Sequence, residues 1–98
     1  MHFIVLFEDN PAKADQRAKH MAAHLAFLEK SLTRVTAAGP LIDPASGAGA
    51  GGLWVVEAAD AAQVRKLVET DPFWPTGLRK SVNILQWKQV YKDGKKLA

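Results

Sequence analysis

The chain has 98 residues, of which 48% are hydrophobic and 23% charged, with a formal charge of +3 and no cysteine. That composition fits one small globular domain over 1–98, which buries only about 60–65% of the surface of its unfolded form. It excludes a disulfide framework, a thiol nucleophile and a thiolate metal site, and no apolar run approaches the ~18–20 residues of a membrane span. With no basic leader and small-residue cleavage pattern at the start, the expected location is the cytoplasm. The cations Arg17, Lys19, Lys30, Arg34, Arg65, Lys66, Arg79 and Lys80 are scattered among acids. This is the pattern of a solvated surface and predicts no nucleic-acid partner.

His2 to Phe7 is apolar and β-rich and predicts a first strand. Asn10-Pro11 then opens a helix, with asparagine as the cap and proline at the first helical position. The helix is expected to reach about Thr33, with Met21, Leu25, Leu28 and Leu32 as its core stripe. Arg34 to Ala38 predicts a short second strand closed by Gly39-Pro40. Asp43 to Gly52, rich in Pro, Ala and Gly, reads as a flexible loop, and Leu53 to Ala58 as a third strand. Asp60 caps a second helix, Ala61 to about Thr70, whose inward stripe is Val64, Leu67 and Val68. Asp71-Pro72 ends it, because the residue before proline is pushed out of the α region. Phe73 to Gly77 is a turn, Ser81 to Tyr91 a final strand, and residues 92–98 a polar tail expected to fray.

Strand, helix, strand, strand, helix, strand is the split βαβ order of an α+β, ferredoxin-like sandwich. Both helices then cover one face of the sheet. The strands, however, are apolar on both sides: Phe3, Val5 and Phe7 against Ile4 and Leu6, and Leu53 and Val55 against Trp54 and Val56. A sheet with one wet face alternates apolar and polar residues. The second face therefore predicts a homodimer.

Arg17, His20 and His24 follow one another at i, i+3, i+7 on one face of the first helix. An imidazole bordering a cleft exchanges protons near neutral pH, although most helix-surface histidines are inert. Asp71 is the odder residue. It continues the apolar stripe Val64, Leu67, Val68, so it points inward at the C-terminal end of its helix, where the dipole disfavours an anion by about 0.3–1 kcal/mol. Two readings stay open: a carboxylate bonded to backbone amides of the turn before Pro72, or one paired with an imidazole of the first helix. A pair of that kind fixes the ring's tautomer and suits it to general-base work. The i, i+4 spacing of His20 and His24, with Asp71 as a third group, also admits a metal site, but no glutamate follows His20 as in HExxH, and no metal is expected.

The run Gly47 to Gly52 lacks the strand-before, helix-after setting of a phosphate loop and reads as a flexible strand connection that can close over the cleft. Ser46 has no partner spacing that marks a nucleophile. Trp54, Phe73, Trp74 and Trp87 read as core or interface, with Phe73 on the turn beside Asp71.

Taken in order, Arg17, His24-Leu25, Ala38-Gly39-Pro40-Leu41, Gly51-Gly52, Asp71-Pro72-Phe73, Gly77 and Trp87 make the chain resemble the YciI-like (YCII-related) proteins over nearly its whole length. The resemblance implies a dimeric α/β barrel of ferredoxin-like subunits with an active site centred on a His and an Asp, which fall on His24 and Asp71. It also implies an architecture like that of muconolactone isomerases and of dehydrochlorinases acting on hydroxylated rings. His20 departs from the family pattern. The expectation is a small cofactor-free enzyme of isomerase or lyase type. In it His24 and Asp71 are catalytic, and Arg17, His20 and Phe73 bind a small, hydroxylated aromatic or lactone substrate. The alternative is a non-catalytic domain that binds a small molecule in the same cleft.

Overall fold

Apolar β-formers and helix-formers alternate along the chain as β1 (His2–Asp9), α1 (Asp15–Lys30), β2 (Val35–Ile42), β3 (Gly49–Glu57), α2 (Ala61–Thr70) and β4 (Arg79–Trp87). A hairpin of β5 (Tyr91–Lys92) and β6 (Lys95–Lys96) follows. The computed structural model describes residues 1–31 and 34–97. β1 to β4 form one antiparallel sheet in the order β2-β3-β1-β4, the α+β ferredoxin-like arrangement expected from the element order.

Strand parity sets the core. Phe3, Val5 and Phe7 are buried with Trp54 and Val56 opposite them, and Val64, Leu67 and Val68 of α2 close the cluster, with Phe27 and Leu28 of α1 packed against it. Each such side chain contributes about 1.5–3 kcal/mol by leaving water. Both helices thus lie on the Phe3 face. The other face carries Ile4, Leu6, Leu53 and Val55, all half-buried, and Leu85 and Trp87, both exposed.

Several boundaries differ from the sequence reading, each for a local reason. Asn10 caps a 3-10 turn, Pro11–Lys13, by accepting the Ala12 N–H, and α1 begins only at Asp15. The inward line of α1 is centred on His24, its one buried residue, with Leu25 51% exposed. Met21 and Leu28 of the expected stripe are half-buried, and His24, bonded to the second helix's terminus (below), takes the buried place between them that was expected of Leu25. Leu32 and Thr33, the expected end of the stripe and helix, lie outside the described residues.

β2 runs through Gly39-Pro40 to Ile42 instead of closing there, which proline permits because β2 is a sheet edge. The expected flexible loop is shorter than its composition suggests. Asp43 accepts the Gly47 N–H on its carbonyl and the Ala45 N–H on its carboxylate, and β3 already starts at Gly49. Gly51, at φ +101°, is indispensable: a Cβ there falls 1.9 Å from the carbonyl oxygen of Phe7. The last strand starts at Arg79 and ends at Trp87, and the expected frayed tail is a hairpin. Asp93 and Gly94 supply the two positive φ values of its tight turn, and Leu97 N–H bonds Val90 O at 3.0 Å.

One irregularity bears on the site. β4 pairs with β1 in strict register from Trp87 to Ser81, and then the register shifts, so that Asp9 faces Arg79 and not Lys80. β4 holds an extra residue there, as in a β-bulge.

Candidate active site

His24 and Asp71 come from the two helices and meet inside the subunit. His24 Nδ1 lies 3.0 Å from both Asp71 Oδ1 and Oδ2, with 7% and 1% of the two residues exposed. Asp71 is the C-cap of α2 and has extended backbone, so its carboxylate turns back under the helix end. There it also accepts the Phe73 N–H at 3.0 Å. Both open readings of Asp71 therefore hold at once, the turn-forming aspartate and the imidazole partner.

Burial works to raise the Asp71 carboxyl, but the hydrogen bonds from His24 and the Phe73 amide and the charge of Arg79 outweigh it, and its pKa is held below the ordinary aspartate value. It is a carboxylate at neutral pH and can only accept. His24 Nδ1 is then the donor to it, and in the neutral form of such a ring Nε2 carries the lone pair. The ring stacks on Phe73, 4.3 Å between centroids at 22°, so its plane is fixed from the side as well as from Nδ1.

Arg79, at the start of β4, was not singled out by the sequence. Its Nη1 is 2.8 Å from Asp71 Oδ2 and its side chain is 5% exposed. Its Cζ sits 3.9 Å from the Phe7 ring centroid, 5.1 Å from Trp54 and 5.4 Å from Phe73. Burial draws its pKa below the usual arginine value against the pull of Asp71, and it keeps its charge at any ordinary pH. Read by simple alternation from Val82 and Ile84, Arg79 falls on the outer face. The register shift brings it inward, and nothing in the local composition signals that shift.

Between α1 and the sheet lies a cavity of about 130 Å³. His24, Arg17, Arg79, Phe7 and Trp54 line it, with Met21, Leu25 and Leu28 on the helix side. Small residues of β2 and β3 (Ala38, Gly39, Pro40 and Gly52) complete it and leave the room. Arg17 bonds Asp9 at 2.5 Å and also borders a wider cleft formed with Glu8, Asn10 and Gly49–Gly51. Phe73 is wholly buried behind the site and does not line the cavity. His20 is half-buried and outside the lining. Among the described residues no three His, Asp or Glu side chains converge as a metal-ligand set, and no helix is long and apolar enough to cross a membrane.

The structure is similar to 5-chloro-2-hydroxyhydroquinone dehydrochlorinase (TftG) from Burkholderia phenoliruptrix AC1100, solved in complex with 2,5-dihydroxybenzoquinone. The two are 30% identical, over 90% of this chain and 94% of that one, with a TM-score of 0.79. It also shares its fold with SnoaB, a cofactor-independent oxygenase from Streptomyces nogalater, at 17% identity over 90% and 92% of the two chains and a TM-score of 0.53. Among curated protein sequences none matches the chain. The family model of the YCII-related domain matches residues 1–88. The chain belongs to the YCII-related family.

Proposed function

We propose that the protein is a small-molecule enzyme in which Nε2 of His24 moves a proton on a hydroxylated ring or lactone, with no cofactor in the step. The observation that carries this reading is the Nδ1 of His24 at 3.0 Å from both Asp71 oxygens, on the wall of a cavity of about 130 Å³. Nε2 takes a proton from the O–H of a hydroxylated ring, or from an activated C–H of a lactone, and the bonding pair stays on the substrate. Asp71 stabilises the imidazolium so formed. The proton is then returned to a ring carbon, which is an isomerisation. Where that carbon bears a halide, the halide leaves with its bonding pair as a proton of a second ring hydroxyl passes to Nε2, free again after the first transfer, which is an elimination. The relative TftG is a dehydrochlorinase of a hydroxylated ring, in line with the second outcome.

In this reading Arg17 steers substrate at the junction of the cavity and the wider cleft. Phe73 holds the imidazole plane and does not touch substrate, and the step leaves His20 aside. A second copy of the chain covers the sheet face of Ile4, Leu6, Leu53, Val55, Leu85 and Trp87. Leu85 and Trp87 are 47% and 40% exposed in the single chain, and apolar patches of that kind mark association surfaces.

The test is turnover of chlorinated hydroxyhydroquinones and of muconolactone-type lactones, followed by ring absorbance and chloride release, with wild type, His24→Ala and Asp71→Asn. A general base of this kind is worth about 10²–10⁴-fold, and both variants are expected to lose rate on that order. Equal turnover by wild type and His24→Ala would remove the imidazole from the chemistry, and binding without turnover by wild type would leave a ligand-binding domain.

A further inference from the structure

We propose that Arg79 is the oxyanion-binding residue of the cavity, delivered there by the extra residue in β4, and that the ligand it selects is a single flat ring carrying an ionised hydroxyl. The proposal rests on the functional reading above for the cavity as the ligand site, and adds the group that recognises the ligand's charge.

Three observations meet on this side chain. The first is a buried cation short of hydrogen-bond acceptors. Arg79 is 5% exposed, and although its Nη1 stands 2.8 Å from Asp71 Oδ2, that nitrogen makes no hydrogen bond among the described residues. The contact with Asp71 is thus an ion pair that leaves Nη1 without a well-aligned acceptor. The same carboxylate already serves His24 and the Phe73 amide. A guanidinium carries five N–H donors, and a buried cation so thinly satisfied is costly unless something else completes it.

The second is placement. Arg79 lines the cavity together with Phe7 and Trp54, two aromatic rings that meet edge to face at 5.2 Å. A flat ring packs against such walls, and an oxygen on its rim meets the guanidinium in a water-poor setting where charge-assisted hydrogen bonds are strong. The volume of about 130 Å³ is close to the ~150 Å³ cavity that holds benzene in another protein, so it suits one ring rather than two. The third is the register shift between Glu8 and Asp9. It puts Arg79 on the site face where a regular ladder puts Lys80, and bulges re-aim side chains in this way beside active sites.

Arg17 is the rival cation, but it already holds a direct bond to Asp9 and its side chain is 29% exposed. Its guanidinium already has a hydrogen-bonded acceptor and is screened by solvent, and it contributes less.

Binding of 2,5-dihydroxybenzoquinone, a vinylogous acid ionised at neutral pH, is measured by calorimetry against its uncharged dimethyl ether for wild type, Arg79→Met, Arg79→Lys and Arg17→Met. Wild type is expected to prefer the anion. Arg79→Met should lose that preference by about 10-fold or more, and Arg17→Met by less. Arg79→Lys keeps a charge beside Asp71 and so serves if the Met variant does not fold. It should lose part of the preference, because a point charge replaces the planar fork. Unchanged anion affinity in both Arg79 variants, an equal loss for the anion and the ether, or a wild type that binds neither, overturns the proposal. Loss of turnover in His24→Ala is read separately. If the Arg79 dependence stands while His24→Ala turns over normally, proton transfer by His24 is wrong and the anion site remains.

Discussion

Nδ1 of His24 faces the two oxygens of Asp71 at equal distance, 3.0 Å each, so a single buried carboxylate fixes both the tautomer and the direction of the ring. The same oxygens also take the Phe73 amide and the charge of Arg79. Under the proposed function stability and chemistry share one side chain, and the first predictions follow from that sharing.

Asp71→Asn keeps the shape and removes the charge. It leaves Arg79 as a buried cation with no counter-charge, and breaking a pair of this kind costs about 3–5 kcal/mol. The amide can also present its NH₂ to Nδ1 and so favour the wrong tautomer. Chemical denaturation should show the loss of stability. Turnover per folded molecule should fall by about 10²-fold or more, so a variant that is merely less stable, with wild-type turnover once folded, would contradict the role given to Asp71.

Acid sensitivity has a definite sign. The Asp71 carboxyl is depressed in the folded chain, so the unfolded chain binds the proton first and the group's stabilisation is complete at neutral pH. It is lost as pH falls below about 4, the ordinary aspartate value, and on down through the folded value. Denaturant midpoints of wild type and Asp71→Asn should stay parallel from pH 8 to 5 and converge only below about pH 4. Convergence at neutral pH would count against it.

Gly51→Ala meets two obstacles, a φ of +101° and a Cβ 1.9 Å from Phe7 O. Destabilisation of roughly 3 kcal/mol or more is expected. Gly47→Ala, at φ +73° with nothing within 4 Å, should lose only about 1 kcal/mol. Thermal melts of the two variants side by side separate steric clash from backbone preference. Similar melts would mean that the β1–β3 approach at Gly51 gives way.

Leu85→Glu places a charge on the exposed apolar sheet face, beside Ile4. If a second copy covers that face, sedimentation should show a dimer for wild type and a monomer for the variant, with the far-UV spectrum unchanged. A wild type that sediments as a monomer at tens of micromolar would remove the second copy.

The need of Asp71 for a partner was legible because a carboxylate on an apolar helical stripe is a physical anomaly, while the choice of His24 over His20 came from the family resemblance. The order of elements and the two apolar faces of the sheet were equally plain, since periodicities of two and of about 3.6 residues survive in the text. The phase of α1 was not. Leu25 looks like core and His24 like rim, and only the bond to Asp71 reverses them. Arg79 was hidden for a related reason. Alternation assumes an unbroken ladder, and one residue of slippage exchanges inside for outside. Phe73 was placed correctly beside Asp71, yet its ring backs the imidazole and does not line the cavity, a distinction that chain order cannot carry.

The slippage at the start of β4 has a wider implication. Two adjacent cations, Arg79 and Lys80, compete there for one inward position, and the count of residues in a single strand decides between them. Gaining or losing one residue in that stretch would exchange a forked guanidinium for a lone ammonium, or swing both cations out to solvent, while the helices and the rest of the sheet stayed as they are. A scaffold with such a selector at its rim can change what it recognises by a length change of one, without repacking its interior.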